Sequence, residues 1–156
     1  VWENGCAEGI SAQVVMSSDK VGSTNEKGGE ERRIAASHRL SAGARTEKPW
    51  GREILVDVNE HFALKEIFIK AGTRSSLQSH RFKLETVFVL NGSLELETHD
   101  ANGSSFFETY RPGESYRLVP GVIHRVKALE DCTIIEASTP HLDDVIRHSD
   151  DFGRAK

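Results

Sequence analysis

Between residues 53 and 137 the chain repeats one texture: a short apolar or alternating run, then a turn, with no stretch of helical period. The runs fall at 53–58, 62–70, 85–90, 93–98, 105–111, 115–119, 124–129 and 132–137, and they carry Val, Ile, Leu, Phe and Tyr at alternating or clustered positions. Turn dipeptides separate them: Ala71-Gly72, Asn91-Gly92, Asn102-Gly103, Pro112-Gly113 and Pro120-Gly121. Asn91-Gly92 between two apolar runs is a hairpin signal, because both positions tolerate positive φ. Evenly spaced strands without helices predict an all-β domain, either a small antiparallel barrel or a double-sheet jelly roll. Only residues 143–147 read as a helical turn, and no internal repeat is present.

The chain has 156 residues, enough for one ordinary domain or a smaller one with a tail. Residues 17–48 are rich in Ser, Gly, Glu, Lys and Arg, with Val21, Ile34 and Leu40 isolated among them. Such a segment buries too little apolar surface to offset its ordering entropy. The reading is therefore a disordered arm over residues 1–47 and a folded domain over residues 48–156. Residues 1–18 hold no continuous apolar stretch of the kind a signal peptide needs, and the first Met is Met16. Residues 1–15 thus read as an upstream extension or a fragment boundary.

Other classes are disfavoured by composition. No apolar run approaches the roughly 20 residues of a spanning helix. With 20 Lys and Arg against 24 Asp and Glu, the formal charge is -4, which gives nucleic acid or an anionic membrane no electrostatic purchase. Two cysteines, Cys6 and Cys132, are too few for a disulfide framework, and a reducing, cytoplasmic setting is expected. Cys132 reads as a small buried hydrophobe.

Chemistry-bearing residues gather on two stretches. Gln78 and His80 are two apart and share a face on a strand, while Glu85 opens the next run and can turn back to that face. Pro120-Gly121-Val-Ile-His124 sets a second histidine at a strand start after a tight turn. A single strand histidine is usually an ordinary surface or hydrogen-bonded residue. Two imidazoles, a carboxylate and an amide oxygen converging in one barrel instead suit a divalent first-row metal.

The spacing Gly72-x5-Gln78-x-His80-x4-Glu85-x6-Gly92 resembles the first cupin motif, with glutamine at the usual first histidine. Pro120-Gly121-x-x-His124 resembles the second, although Val119 and Ala128 replace its usual proline and asparagine. Lys48-Pro49-Trp50-Gly51-x-Glu53, Ser76-Leu77-Gln78-x-His80 and Asp143-Asp144-x-x-Arg147-x-x-Asp150-x-Phe152-Gly153-Arg154 are similar to a narrower group. That group is the type II phosphomannose isomerase domain at the C-terminus of bifunctional mannose-1-phosphate guanylyltransferases. The resemblance implies a double-stranded β-helix (cupin jelly roll) with Gln78, His80, Glu85 and His124 as metal ligands. Zinc comes first, with manganese, iron, nickel or cobalt possible. It further implies a mannose-6-phosphate/fructose-6-phosphate isomerase, or a close relative acting in polysaccharide precursor synthesis. A neutral glutamine in place of histidine hardens the site, which suits polarising a sugar oxygen better than activating dioxygen.

The phosphate of such a substrate requires cations. Arg154 and Lys83 are the catalytic candidates, and Arg147 and Glu136 the substrate-binding ones. The proton-transfer base stays open among Lys83, Glu136 and His141. The competing reading of Arg147 and Arg154 is surface pairing with Asp143, Asp150 or Asp151. Lys83 stands where the related domains carry arginine, and the two are not equivalent at a bidentate contact. Phe82 would make the pocket mouth less polar. No Gly-rich phosphate loop precedes Pro49, so guanylyl transfer is not expected of this chain. Trp50 is expected to pack the first strand, and His61, His99 and His148 to face solvent. By analogy with small cupins a homodimer is expected. The alternatives are a non-catalytic metal-containing cupin that binds a sugar or sugar nucleotide and, behind it, an iron-dependent dioxygenase.

Overall fold

The computed structural model describes Leu40, Ser41 and residues 43–155. Most of the arm expected over residues 1–47 lies outside these. Eleven strands follow: β1 (Ala44–Lys48), β2 (Gly51–Val58), β3 (Ala63–Ile69), β4 (Leu77–Ser79), β5 (Glu85–Asn91), β6 (Leu94–His99), β7 (Ser105–Tyr110), β8 (Ser115–Leu118), β9 (Ile123–Ala128), β10 (Cys132–Ser138) and β11 (Ile146–Ser149). They form a six-stranded sheet in the order β1-β2-β3-β10-β5-β8 and a five-stranded sheet in the order β11-β4-β9-β6-β7. Every pairing is antiparallel, so the domain is all-β with two sheets, the arrangement that the cupin resemblance implies. No helix among the described residues is long and apolar enough to cross a membrane.

Period-two alternation builds the core. Ile67 and Ile69 on β3, Val87 and Val89 on β5, Leu94 and Leu96 on β6, Tyr116 and Leu118 on β8, and Ile134 on β10 point inward and are buried. Trp50 and Cys132 join them, as expected. The same inward stripes turn polar towards one end. On β10 the buried series runs Cys132, Ile134, Glu136, Ser138, and on β5 it runs Val89, Val87, Glu85. Register sets these series side by side, with Val89 opposite Ile134, Val87 opposite Glu136 and Glu85 opposite Ser138. One end of the sandwich is therefore hydrocarbon, and the other is an enclosed polar layer.

Two turns fix that layer. Gly92 has φ +73, and a Cβ there would lie 2.2 Å from the Asp131 carbonyl oxygen, so only glycine fits the β5–β6 hairpin. Asn91 stays in β5, because among the described residues no residue other than glycine has positive φ. Gly121 has φ +90, and its N–H donates to the His80 carbonyl at 2.7 Å, fastening the turn before His124 to His80 itself.

Three expectations need correction. Ala44–Lys48 is a strand paired with β2, not part of a loose arm. Its Ala-Arg-Thr-Glu-Lys residues are largely exposed, so main-chain hydrogen bonds hold it and composition gives no sign of it. Residues 143–147 form no helical turn; the chain bends and enters β11, which pairs with β4. Polar, exposed Ile-Arg-His-Ser lacks the alternation by which a strand is recognised. Finally, His99 lies on β6, half-buried and bonded to Glu97, not in an exposed loop.

Candidate metal centre

His80 follows β4, Glu85 opens β5 and His124 lies on β9; one ligand atom from each falls within 4.8 Å of the others, and all three side chains are buried. His124 Nε2 lies 3.4 Å from Glu85 Oε1, and His80 Nε2 lies 3.8 Å from Glu85 Oε2. Both Nδ1 atoms are occupied by main-chain carbonyls, that of Asp144 for His80 and that of Val122 at 3.0 Å for His124. A carbonyl only accepts, so Nδ1 of His80 carries the proton and its Nε2 turns a lone pair inward, while His124 Nε2 faces the Glu85 carboxylate. His80 Nε2 is buried with no hydrogen-bond partner. An orphaned imidazole lone pair beside another imidazole and a carboxylate fits a divalent cation.

The electrostatics agree. Burial, followed by the nearby Lys83 charge, pushes the His80 imidazole below its ordinary range and keeps it neutral. Burial alone would raise the Glu85 carboxyl, but the His124 hydrogen bond and the Lys83 charge outweigh it and hold the group at about 2. An ionised carboxylate beside the neutral His80 imidazole is the protonation state a metal needs from these two ligands.

Lys83 is 6% exposed and sits between two carboxylates. Its Nζ donates to Glu136 Oε1 at 3.2 Å and is in ion-pair contact with Glu85 Oε2. Burial works against the ammonium, yet Glu136 and Glu85 outweigh it and raise its pKa. Lys83 and Glu136, chosen from sequence as separate candidates, are thus one ion pair beside the triad.

The other sequence candidates sort clearly. Gln78 pairs in register with His124, placing the two as cross-strand neighbours on one face, and its Oε1 accepts from Ser76 Oγ at 2.9 Å. Gln78, Arg147 and Arg154 all line the cavity of about 350 Å³ that opens over Glu85 and His124. Arg154 is committed: its Nε and Nη2 bind the Asp150 carboxylate, the competing reading for that residue. Arg147 is exposed and opposite Gln78 in register. His141 hydrogen-bonds Thr139 Oγ1 and packs on Phe82, their ring centroids 5.9 Å apart, and neither lines the cavity. Phe82 therefore leaves the mouth no less polar. His148 is exposed as expected, although its ring meets Ser79 Oγ at 2.9 Å.

Asp144 is the residue that sequence reasoning underused. Its carboxylate accepts the N–H groups of Arg81, Phe82 and Lys83 at 3.0, 2.7 and 2.9 Å, while its carbonyl orients His80. Burial opposes its charge, but those three donors hold the carboxyl at about 2. It lies in the C-terminal Asp-Asp-x-x-Arg pattern, but nothing local to either segment announces a contact across some 60 residues. Ser138, buried, unpartnered and opposite Glu85, was also missed; the period-two stripe of β10 carries its signal.

Comparison with known proteins agrees with this geometry. The family described as "Mannose-6-phosphate isomerase C-terminal" matches residues 35–150. Xanthan biosynthesis protein XanB of Xanthomonas campestris is 30% identical over 112 residues, 69% of this chain and 23% of that protein. Alginate biosynthesis protein AlgA of Pseudomonas aeruginosa is 33% identical over 111 residues, 69% of this chain and 22% of that protein. The chain thus spans under a quarter of the length of these relatives. Among solved structures, Lactobacillus farciminis oxalate decarboxylase superposes with a TM-score of 0.61 at 17% identity, covering 72% of this chain and 37% of that one, a likeness of fold alone. On the family match and the two relatives together, the chain belongs to the mannose-6-phosphate isomerase C-terminal family of cupins.

Proposed function

We propose that the domain is a metal-dependent isomerase that interconverts an aldose phosphate and a ketose phosphate of the mannose-6-phosphate/fructose-6-phosphate type. The observation that carries this reading is the buried His80/Glu85/His124 triad, whose Glu85 and His124 share one cavity with the Lys83–Glu136 ion pair. The reaction moves a hydrogen between C1 and C2 through an enediol. The triad, with Gln78 as fourth donor, would hold a divalent ion, zinc as first choice, and that ion would supply Lewis-acid polarisation of the substrate carbonyl. Glu136 Oε1 takes the proton from C2 and returns it to C1, while Lys83 Nζ, 3.2 Å away, gives a proton to the carbonyl oxygen and regains one from the hydroxyl that becomes the new carbonyl. Arg154, held rigid by Asp150, sets a fixed positive charge at the cavity for the developing enediolate, and Arg147 contacts substrate.

A second reading, a sugar-binding cupin without turnover, is favoured by lysine at position 83, where the resembling domains carry arginine. A coupled assay of metal-loaded protein against a panel of hexose and pentose phosphates decides between them. Turnover of fructose 6-phosphate supports the isomerase, saturable binding without turnover supports the second reading, and stoichiometric iron with oxygen uptake overturns both.

A further inference from the structure

The isomerase reading gives Arg154 and Lys83 to the reacting carbons, and each is already ion-paired, so neither is free to hold a phosphate as well. Arg154 is bound to Asp150, and Lys83 is shared by Glu85 and Glu136. The cavity has another set of cations. Lys48 ends β1, and Lys65 lies on the inward stripe of β3 opposite Glu136 on β10. The two ammoniums share one carboxylate, Glu53 on β2, at 3.5 and 3.7 Å. Those separations are ion-pair contacts, longer than ammonium–carboxylate hydrogen bonds. Among the described residues neither Nζ makes a hydrogen bond, so six N–H donors on two half-buried side chains remain free. Arg147, also without a bonded carboxylate among these residues, faces the same cavity from the other sheet. The carboxylates of the same cavity wall are Glu53, the exposed Asp143, and Glu85 and Glu136, the last two already paired with Lys83.

We propose that Lys48 and Lys65, steered by Glu53, form the subsite that binds the substrate's phosphate monoester, with Arg147 closing it from the second sheet. This rests on the isomerase reading for the nature of the substrate but not for the charge. A phosphate near −2 at neutral pH has acceptors for two ammoniums and a guanidinium at once. Placing the phosphate on β1 and β3 leaves the triad and the Lys83–Glu136 pair free to meet the sugar's reacting carbons. Lysine suits the role, since a flexible point charge can leave Glu53 and follow the ligand.

The test uses the metal-loaded full chain and calorimetric titration with fructose 6-phosphate, fructose and glucuronate. Lys48→Met and Lys65→Met should each weaken fructose 6-phosphate binding roughly tenfold, and together roughly a hundredfold, by loss of one charge-assisted contact apiece. Fructose binding and metal content should not change. Glu53→Gln should tighten fructose 6-phosphate binding, because it releases both lysines, whereas a purely structural Glu53 would give no gain. The proposal is overturned if the double variant binds fructose 6-phosphate as the wild type does. It is equally overturned if the wild type binds fructose 6-phosphate no better than fructose, or prefers glucuronate. If the lysine-dependent binding holds but no turnover is found, the subsite stands and the isomerase reading fails.

Discussion

Lys83→Met isolates what the buried ammonium contributes. In the metal-free protein it leaves Glu85 and Glu136, 4% and 7% exposed, facing each other without a cation. Breaking a buried ion pair by removing one partner costs about 3–5 kcal/mol. A second route gives a similar figure. The Glu85 carboxyl is held at about 2 against an ordinary 4.5, which at about 1.4 kcal/mol per pH unit is roughly 3 kcal/mol. The His124 hydrogen bond supplies part of that, so about 2–4 kcal/mol is expected for Lys83→Met above pH 5. The sign follows from the direction of the Glu85 shift. A depressed carboxylate stabilises fully above its unfolded pKa, and the contribution drains as pH falls from about 4.5 through about 2. A bound divalent ion would neutralise Glu85 in place of the ammonium, so saturating zinc should rescue most of the loss. Urea denaturation of wild type and variant, in EDTA and in excess zinc, at pH 7 and pH 3, measures all of this. A variant within about 1 kcal/mol of wild type in EDTA at pH 7, below the range for a broken buried pair, would refute the reasoning.

His80→Ala and His124→Ala should each abolish stoichiometric zinc by elemental analysis, while Gln78→Ala, losing a neutral donor already bonded to Ser76, should retain more; equal metal in all three places the site elsewhere. Asp144→Ala should lower zinc affinity about tenfold in a competitive chelator titration while leaving β-sheet circular dichroism unchanged, because it frees the 81–83 backbone that orients His80 and Lys83. Unaltered affinity would show that the loop holds its shape without that carboxylate. Cys132, buried, has its thiol pushed up to about 11 by burial and then by Glu130, so iodoacetamide at pH 8 should leave its peptide unlabelled natively and label it in urea. Native labelling would mean that the apolar end of the sandwich opens.

The fold class was legible because its cause is local. Most strands between β2 and β10 bury one face, so apolar residues recur every second position, and tight turns need glycine where φ is positive, as at Gly92 and Gly121. The candidate metal donors were legible for a related reason: a motif's fixed spacing on paired strands fixes which side chains share a face, and Glu85 and both histidines converge. β1 and β11 were not legible, since exposed edge strands are held by main-chain hydrogen bonds that any polar sequence can make. Nor was the partnering of charges. That Arg154 belongs to Asp150, Lys83 to Glu85 and Glu136, and Lys48 with Lys65 to Glu53 depends on register between distant segments. The sequence determined which ionisable groups enter the barrel; only the tertiary structure decided which cations are already neutralised there and which remain free for a ligand, because the field at one charge depends on neighbours that packing alone brings near.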